Sequence, residues 1–425
     1  MAPTSRAAVR GTHRVPGDKS VTHRAILLGA LAPGRSTIGG ALTSLDAKSS
    51  ARVVRALGAS VSPLRPEAIL AIIGPRRWQA PTRPLDCGNS GTTARLLLGL
   101  LAGHRFPATL TGDASLRRRP MRRVSAPLVA MGARVDLPTH DGLPLTIRGG
   151  RLQAIEWTLP VASAQLKSAI LLAGVTGGVP VVLHEPAASR DHTERMLRHF
   201  GYTVEVTDST LRFAPTGRLV PFELQVPGDP SSAAFLLAAA ALAPAGAIEV
   251  AGVGCNPSRV GFLEVMSAMG ARVGLEGLDE SFGEPVGTLG AAASALRAVD
   301  VPAEVAPAII DEVPILAAMA ARAEGVSRFR GLAELRVKES DRLALMAANL
   351  RAIGVEAEVQ GDDLLVVGTD RPLVGRVVTH GDHRIAMAFQ VLGFPPKQRI
   401  TVDDPACADV SFPGFAAALA GLRAR

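Results

Sequence analysis

The pentapeptide Met131-Gly-Ala-Arg-Val135 returns as Met269-Gly-Ala-Arg-Val273. In both places an apolar stretch with helical spacing ends in Gly, and a short strand-like segment follows. Glycine readily takes the left-handed conformation in which a helix stops and a strand can begin. The same punctuation stands at Leu57-Gly58, Phe200-Gly201 and Ile353-Gly354. The five glycines are about 70 to 85 residues apart, a spacing that predicts an internal structural repeat. A weaker match at Gly421 closes the series.

A second symmetry lies over the first. Val15-Pro-Gly-Asp18 recurs as Val226-Pro-Gly-Asp229 close to half a chain later, dividing six repeats into two halves of three. Pro-Gly is a turn former, so the chain is expected to cross between two domains at these places. Each repeat mixes helical periodicity with short β-branched runs such as Ala71-Ile72-Ile73, Val181-Val182-Leu183 and Leu364-Leu365-Val366-Val367. The predicted class is α/β, with sheets and helices in layers.

A chain of 425 residues has length for two domains of similar size. The longest unbroken apolar run, from Ala233 to Ala243, is far short of the ~20 residues that span a bilayer. The N-terminus carries Arg6 and Arg10 but no apolar segment of the signal-peptide kind. Cys87, Cys255 and Cys407 are odd in number and widely scattered, which suggests neither a disulfide framework nor a zinc site, and a reducing cytoplasm fits. The net charge of +8 implies anionic partners. One Tyr and two Trp are too few for base-stacking platforms, which weighs small phosphorylated anions above nucleic acid. Only five basic residues are lysine: Lys19, Lys48, Lys167, Lys338 and Lys397.

Several polar clusters share one layout, a polar or Gly-containing loop followed at once by an apolar helix. Pro16-Gly-Asp-Lys-Ser20 leads into 21–32, Cys87-Gly-Asn-Ser-Gly-Thr-Thr93 into 94–102 and Ser163-Ala-Gln-Leu-Lys167 into 168–173. Lys338-Glu-Ser-Asp-Arg342 opens 343–353, and Gly381-Asp-His-Arg384 opens 385–392. Exposed N–H groups and the helix dipole make each start a potential anion site. Lys19-Ser20 is not the tail of a P-loop, because Asp18 stands where that motif needs Gly. On a helix Ser20 and Arg24 share a face, and Glu339 lies three residues from Arg342 and beside Lys338, an acid between two cations. Leu116-Arg-Arg-Arg119-Pro-Met-Arg-Arg123 is a dense cation cluster, and His383 between Asp382 and Arg384 is a candidate imidazole.

Taken in order, these clusters resemble the EPSP synthase family over essentially the whole chain. The matching stretches are PGDKS with THR at 16–24, GNSGTTAR at 88–95, LTGDASLRRRPM at 110–121, SAQLKSAILLAG at 163–174, SRDHTERM at 189–196, DEVP at 311–314, RVKESDR at 336–342 and GDHRIAM at 381–387. The resemblance implies a two-domain inside-out α/β barrel of six βαβαββ units, three per domain. Residues 18–226 would form one domain, 1–17 with 227–425 the other, and the active site would lie in the cleft between them. It implies transfer of the enolpyruvyl group of phosphoenolpyruvate to the 5-hydroxyl of shikimate 3-phosphate, a step of the shikimate pathway to chorismate and aromatic amino acids. Closure of the domains about the Pro-Gly crossings would accompany it.

By the same resemblance Lys19, Ser20, Arg24, Ser163, Gln165, Ser189, Asp311 and Lys338 fall on shikimate 3-phosphate positions. Lys19, Gly91, Arg119, Gln165, Arg342 and Arg384 fall on phosphoenolpyruvate positions. Asp311 and Glu339, with Lys19, match the proton-transfer residues. No cofactor or metal is implied, and the partners are the two small substrates, with no nucleic acid or membrane, for a monomer in the cytoplasm. Two departures stand out. Val410 precedes Ser411-Phe-Pro413 where some members carry Lys, and Ala164 lacks a hydroxyl that others place between Ser and Gln. One alternative is a UDP-N-acetylglucosamine enolpyruvyl transferase, whose members carry a reactive Cys five residues before an Arg-Pro pair, where this chain has Ala114. The other is a non-catalytic basic nucleic-acid-binding protein.

Overall fold

Six helices are apolar on nearly every side, and the structure, a computed structural model that describes residues 8–423, buries them. They are α1 (Lys19–Leu31), α2 (Gly91–Ala102), α3 (Ala164–Gly177), α4 (Pro230–Leu242), α5 (Val313–Ala320) and α6 (His383–Leu392). A helix with one wet face buries a stripe. Here Val21 to Ala30 of α1, Pro230 to Ala241 of α4 and all of α5 are buried without a break. Arg6, and residues 1–7 and 424–425 of the domain expected from the sequence, lie outside the described residues.

The chain divides into two units. The N-terminal unit holds Gly17–Val226 and Glu280–Glu284, with α1, α2 and α3 at its centre. The C-terminal unit holds the rest of the described chain, with α4, α5 and α6 in mutual contact in its core. Close packing is built into the sequence. A Cβ on Gly99 of α2 would sit 2.0 Å from the carbonyl oxygen of Ala169 in α3, so any side chain there forces the two helices apart.

Around each trio lie three small sheets, six among the described residues, all but one of them mixed. One repeat shows the plan. Leu85–Asp86 leads into α2, and Pro107–Thr111 returns parallel to it, with Leu85 opposite Leu110. The outer helix Arg122–Ala130 follows, and then strands Arg134–Asp136 and Leu145–Arg148 pair antiparallel, the latter also against Pro107–Thr111. The first repeat borrows its leading strand from the far end of its unit, since Glu223–Gln225 pairs parallel with Gly34–Gly39. Five sheets have four strands in this plan. The sixth pairs only Val374–Val377 with Arg399–Val402, because the chain then turns at Pro405 into a 3-10 segment and the short helix Phe415–Gly421.

The five punctuating glycines do what the sequence predicts. Gly58, Gly132, Gly201, Gly270 and Gly354 have φ of +100°, +110°, +77°, +86° and +90°, each between an outer helix and the next strand. Gly421 instead ends a helix, and no strand follows it among the described residues. The three β-branched runs are strands, Leu70–Gly74, Val181–His184 and Asp363–Val367.

Helix starts differ from the sequence reading in an informative way. α1, α2, α3 and α6 begin at Lys19, Gly91, Ala164 and His383, up to a turn before the apolar run. The capping side chain lies further upstream than the apolar pattern suggests. Asp18 accepts from Val21 N at 2.8 Å, Ser90 from Thr93 N at 3.1 Å, and Asp382 from Arg384 N at 3.0 Å. The polar motif residues therefore form the first turns themselves. At the RVKESDR stretch the correction runs the other way. Asp341 caps Arg342–Ala352, so Lys338 and Glu339 precede that helix, and helical spacing does not bring them to Arg342.

Candidate active site

In the N-terminal unit the first turns of α2 and α3 are tied together by side chains. Gln165, in the first turn of α3, donates through Nε2 to Thr92 Oγ1 at 2.9 Å and accepts from Arg95 Nη1 at 2.5 Å. Arg119 donates to Asn89 Oδ1 at 3.0 Å, in the loop before α2. A Cβ on Gly91 would lie 3.1 Å from Arg119 Nη1 and 3.3 Å from Arg95 Nη1. The N-terminus of α2 is thus faced by two guanidiniums, with little room for a side chain at Gly91, an arrangement suited to a small anion.

Arg24 is buried in α1, and each of its three nitrogens donates. It donates to Thr193 Oγ1 at 2.7 Å, Ser168 Oγ at 2.8 Å and Ser20 O at 3.0 Å. Burial pulls it down to about 10, opposed by the charges of Glu194, Asp18 and Glu284. Lys19 pairs with Asp46, whose side chain is 5% exposed against 21% for Lys19. Ser163 caps α3 through Leu166 N at 3.4 Å. Ser189 donates to Glu185 Oε1 at 2.6 Å, and its carbonyl accepts from Lys167 at 3.2 Å. Lys167 also reaches Glu185 at 2.8 Å and Glu194 at 2.7 Å. Burial disfavours its charge, but the two carboxylates outweigh that and raise its pKa.

The C-terminal unit gathers the remaining candidates. Asp311 has Lys338 at 3.6 Å, Arg342 at 3.8 Å and Arg384 at 3.9 Å, and its backbone carbonyl accepts from Arg384 Nη1 at 2.8 Å. Glu339 accepts from Arg342 Nη2 at 2.5 Å. Arg342 is 1% exposed and donates through Nε to Asp382 Oδ2 at 2.9 Å. Burial works against its charge, yet Asp382 and Glu339 outweigh burial and raise its pKa. Asp382 is likewise pushed up by burial and pulled further down by Arg342. Arg342 is thus held between two carboxylates.

The sequence reading missed several residues of these networks. Arg95 lies one turn after Gly91 on the same helix, Asp46 is an acid in the first turn of Leu45–Ala56, and Asp382 occupies a capping position. Glu185 lies outside every motif, and Glu194, although inside the SRDHTERM stretch, has no partner in sequence that marks it as a counter-ion for Lys167. Val410 ends the 3-10 segment Pro405–Val410, and Ala164 opens α3. Among the described residues no group of three or more His, Cys, Asp or Glu is placed to hold a metal ion. No helix there is long and apolar enough to cross a membrane.

Residues 3–419 match the family model described as EPSP synthase (3-phosphoshikimate 1-carboxyvinyltransferase). The chain is 49% identical over 420 residues to the 3-phosphoshikimate 1-carboxyvinyltransferase of Gluconobacter oxydans, covering 97% of this chain and 95% of that one. It is 51% identical over 411 residues to the Thermus thermophilus protein of the same name, covering 96% and 95%. An EPSP synthase structure from Acinetobacter baumannii superposes with a TM-score of 0.86 at 39% identity, covering 98% of this chain and 96% of that one. The enolpyruvyl transferase NikO of Streptomyces tendae, at 18% identity and a TM-score of 0.77 over 98% and 97%, shares the fold.

Proposed function

The chain belongs to the EPSP synthase family, and on that premise we propose which residues carry its 3-phosphoshikimate 1-carboxyvinyltransferase reaction. The supporting observation is Asp311, a carboxylate with three cations within 4 Å, one of which also holds Glu339.

Shikimate 3-phosphate is bound by Lys19, Ser20, Arg24, Ser163, Gln165, Ser189, Asp311 and Lys338. Phosphoenolpyruvate is bound by Lys19, Gly91, Arg119, Gln165, Arg342 and Arg384. The 5-hydroxyl attacks C2 of phosphoenolpyruvate, its proton passes to Asp311, and C3 gains a proton from the Glu339 side with Lys19 assisting. The tetrahedral intermediate then loses a C3 proton and expels phosphate, forming the enol ether. Each substrate brings a phosphate and a carboxylate, and the fixed guanidiniums stabilise that charge through the addition. An anion that takes up Arg342 and Arg384 weakens their hold on Asp311 and Glu339, leaving both carboxylates available for proton transfer. The enzyme acts as a cytoplasmic monomer on two small molecules, without a cofactor.

Steady-state kinetics of Lys19→Ala, Arg24→Ala and Arg119→Ala test the assignment. We expect Lys19→Ala and Arg119→Ala to depress turnover with phosphoenolpyruvate, and Arg24→Ala to raise the KM for shikimate 3-phosphate. Wild-type kinetics in any variant removes that residue from the site.

A further inference from the structure

Glu280–Glu284 belongs to the N-terminal unit, while the residues on either side of it in sequence belong to the C-terminal unit. These five residues include the turn between strands Arg272–Ser281 and Glu284–Ala292. They dock on one helix, His192–His199, and on its surroundings. His192 Nδ1 lies 2.7 Å from Glu284 Oε1, with both side chains 3% exposed. Arg195 donates to the carbonyl of Gly283 at 2.9 Å. The Phe282 ring lies 3.7 Å from that of His199 and 5.3 Å from that of Phe222, and Ser281 donates to Gln225 O at 2.9 Å.

The first turn of this helix is held from two sides. Thr193 and Glu194 face inward, where Thr193 accepts from Arg24 and contacts Ser168 at 2.7 Å, and Glu194 pairs with Lys167 at 2.7 Å. His192 and Arg195, three residues apart on one helix face, hold Glu284 and Gly283. The helix makes no side-chain capping bond of its own, since the Asp191 carboxylate goes to Arg195 at 2.9 Å. Without a cap, the position of the turn depends on its neighbours. A buried carboxylate on a surface turn is costly unless it has a partner, and here that partner lies beside the residue on which Arg24 rests.

We propose that Glu284 is a positioning residue for shikimate 3-phosphate: by holding His192 it sets the turn from which Thr193 orients Arg24 and Glu194 orients Lys167. Glu284 does not touch the substrate. Its effect passes through the Arg24 assignment and rests on that reading. Losing it leaves the buried His192 nitrogen without its acceptor and loosens Arg24, so ground-state binding of one substrate weakens while the chemistry at Asp311 and Glu339 is left alone.

The test is full steady-state kinetics on Glu284→Ala, Glu284→Gln and Arg195→Ala, with Arg24→Ala as control. Glu284→Ala is expected to raise the KM for shikimate 3-phosphate about tenfold, with kcat and the phosphoenolpyruvate KM within about twofold. Glu284→Gln keeps an oxygen acceptor and is expected to recover most of the loss. Arg195→Ala, which removes the contact to Gly283, is expected to shift the same KM about threefold. If Glu284→Ala does not fold, Arg195→Ala and Glu284→Gln decide. An unchanged shikimate 3-phosphate KM in the folded alanine variants overturns the proposal. So does an equal rise in both KM values, or a Glu284→Gln enzyme as impaired as Glu284→Ala. If Arg24→Ala itself binds shikimate 3-phosphate normally, the site assignment fails. If Arg24→Ala is impaired and the Glu284 and Arg195 variants are not, only the positioning role fails.

Discussion

Arg342 Nη2 lies 2.5 Å from Glu339 Oε2, although Glu339 lies outside the helix that Arg342 begins. A buried cation therefore holds the carboxylate until an anion competes for it. In the proposed mechanism that anion is phosphoenolpyruvate, so Glu339 acts mainly in the transition state. We expect Glu339→Ala to lower kcat by roughly 100-fold or more while changing both KM values by only about threefold. A change confined to KM in steady-state kinetics contradicts this role.

Asp382 has 0% exposure and shares Arg342 with Glu339 and Asp311. It also caps α6 through Arg384 N at 3.0 Å and accepts from Ser340 at 2.9 Å. Removing one partner of a buried charge is more damaging than removing both. We expect Asp382→Ala to lose about 3–5 kcal/mol of stability, and Asp382→Asn less, because an amide still offers an acceptor. Urea unfolding of the two variants beside the wild type measures it. A loss under about 1 kcal/mol for Asp382→Ala means that the charge is compensated elsewhere.

Glycine spacing made most of the fold legible, since each helix-to-strand switch needs a positive φ that other residues rarely adopt. The Pro-Gly pair and the apolar runs showed the two-fold organisation and the central helices. The incomplete sixth sheet was not legible, because a repeat can lose its hairpin while keeping its helices. Among the candidate site residues, Lys19, Arg24, Gly91 and Arg119 stand in motifs. Their pairings were not legible: Thr193 lies 169 residues from Arg24, and only folding brings them together. The contact of Glu284 was likewise hidden, since nothing in a turn of mixed composition announces that its acid is buried against His192.

His23 gives the fold an acid-sensitive element. It is completely buried in α1, with Nδ1 2.7 Å from Ser50 Oγ, and burial lowers its pKa from 6.5 to about 3. The folded protein thus refuses a proton that the unfolded chain accepts below pH 6.5. Stability from this group is complete above that pH and falls as pH drops below it, by about 1.4 kcal/mol per unit. We expect the denaturant midpoint of the wild type to fall between pH 7.5 and 5.5 more steeply than that of His23→Gln, by about 1.4 kcal/mol over the interval. Parallel pH profiles refute the assignment.

Gly91 leaves the N-terminus of α2 bare beneath Arg119 and Arg95. A methyl group there meets the two guanidinium nitrogens at 3.1 and 3.3 Å and takes room from any anion they hold. Glyphosate, an inhibitor that the family resemblance places at the phosphoenolpyruvate position and a longer molecule than phosphoenolpyruvate, would suffer first. We expect it to compete with phosphoenolpyruvate in the wild type, and Gly91→Ala to raise its inhibition constant at least about tenfold more than the phosphoenolpyruvate KM. A wild type that is already insensitive while using phosphoenolpyruvate well contradicts this picture of the pocket.

In the proposed function the cations around Asp311 and the Asp311–Glu339 pair serve enolpyruvyl transfer to one acceptor. Phosphate release from phosphoenolpyruvate tests it most directly, measured with shikimate 3-phosphate and, separately, with UDP-N-acetylglucosamine. We expect stoichiometric phosphate and enol ether with shikimate 3-phosphate, none with the nucleotide sugar, and loss of both products in Asp311→Ala. Release with UDP-N-acetylglucosamine, or full activity in Asp311→Ala, would contradict it.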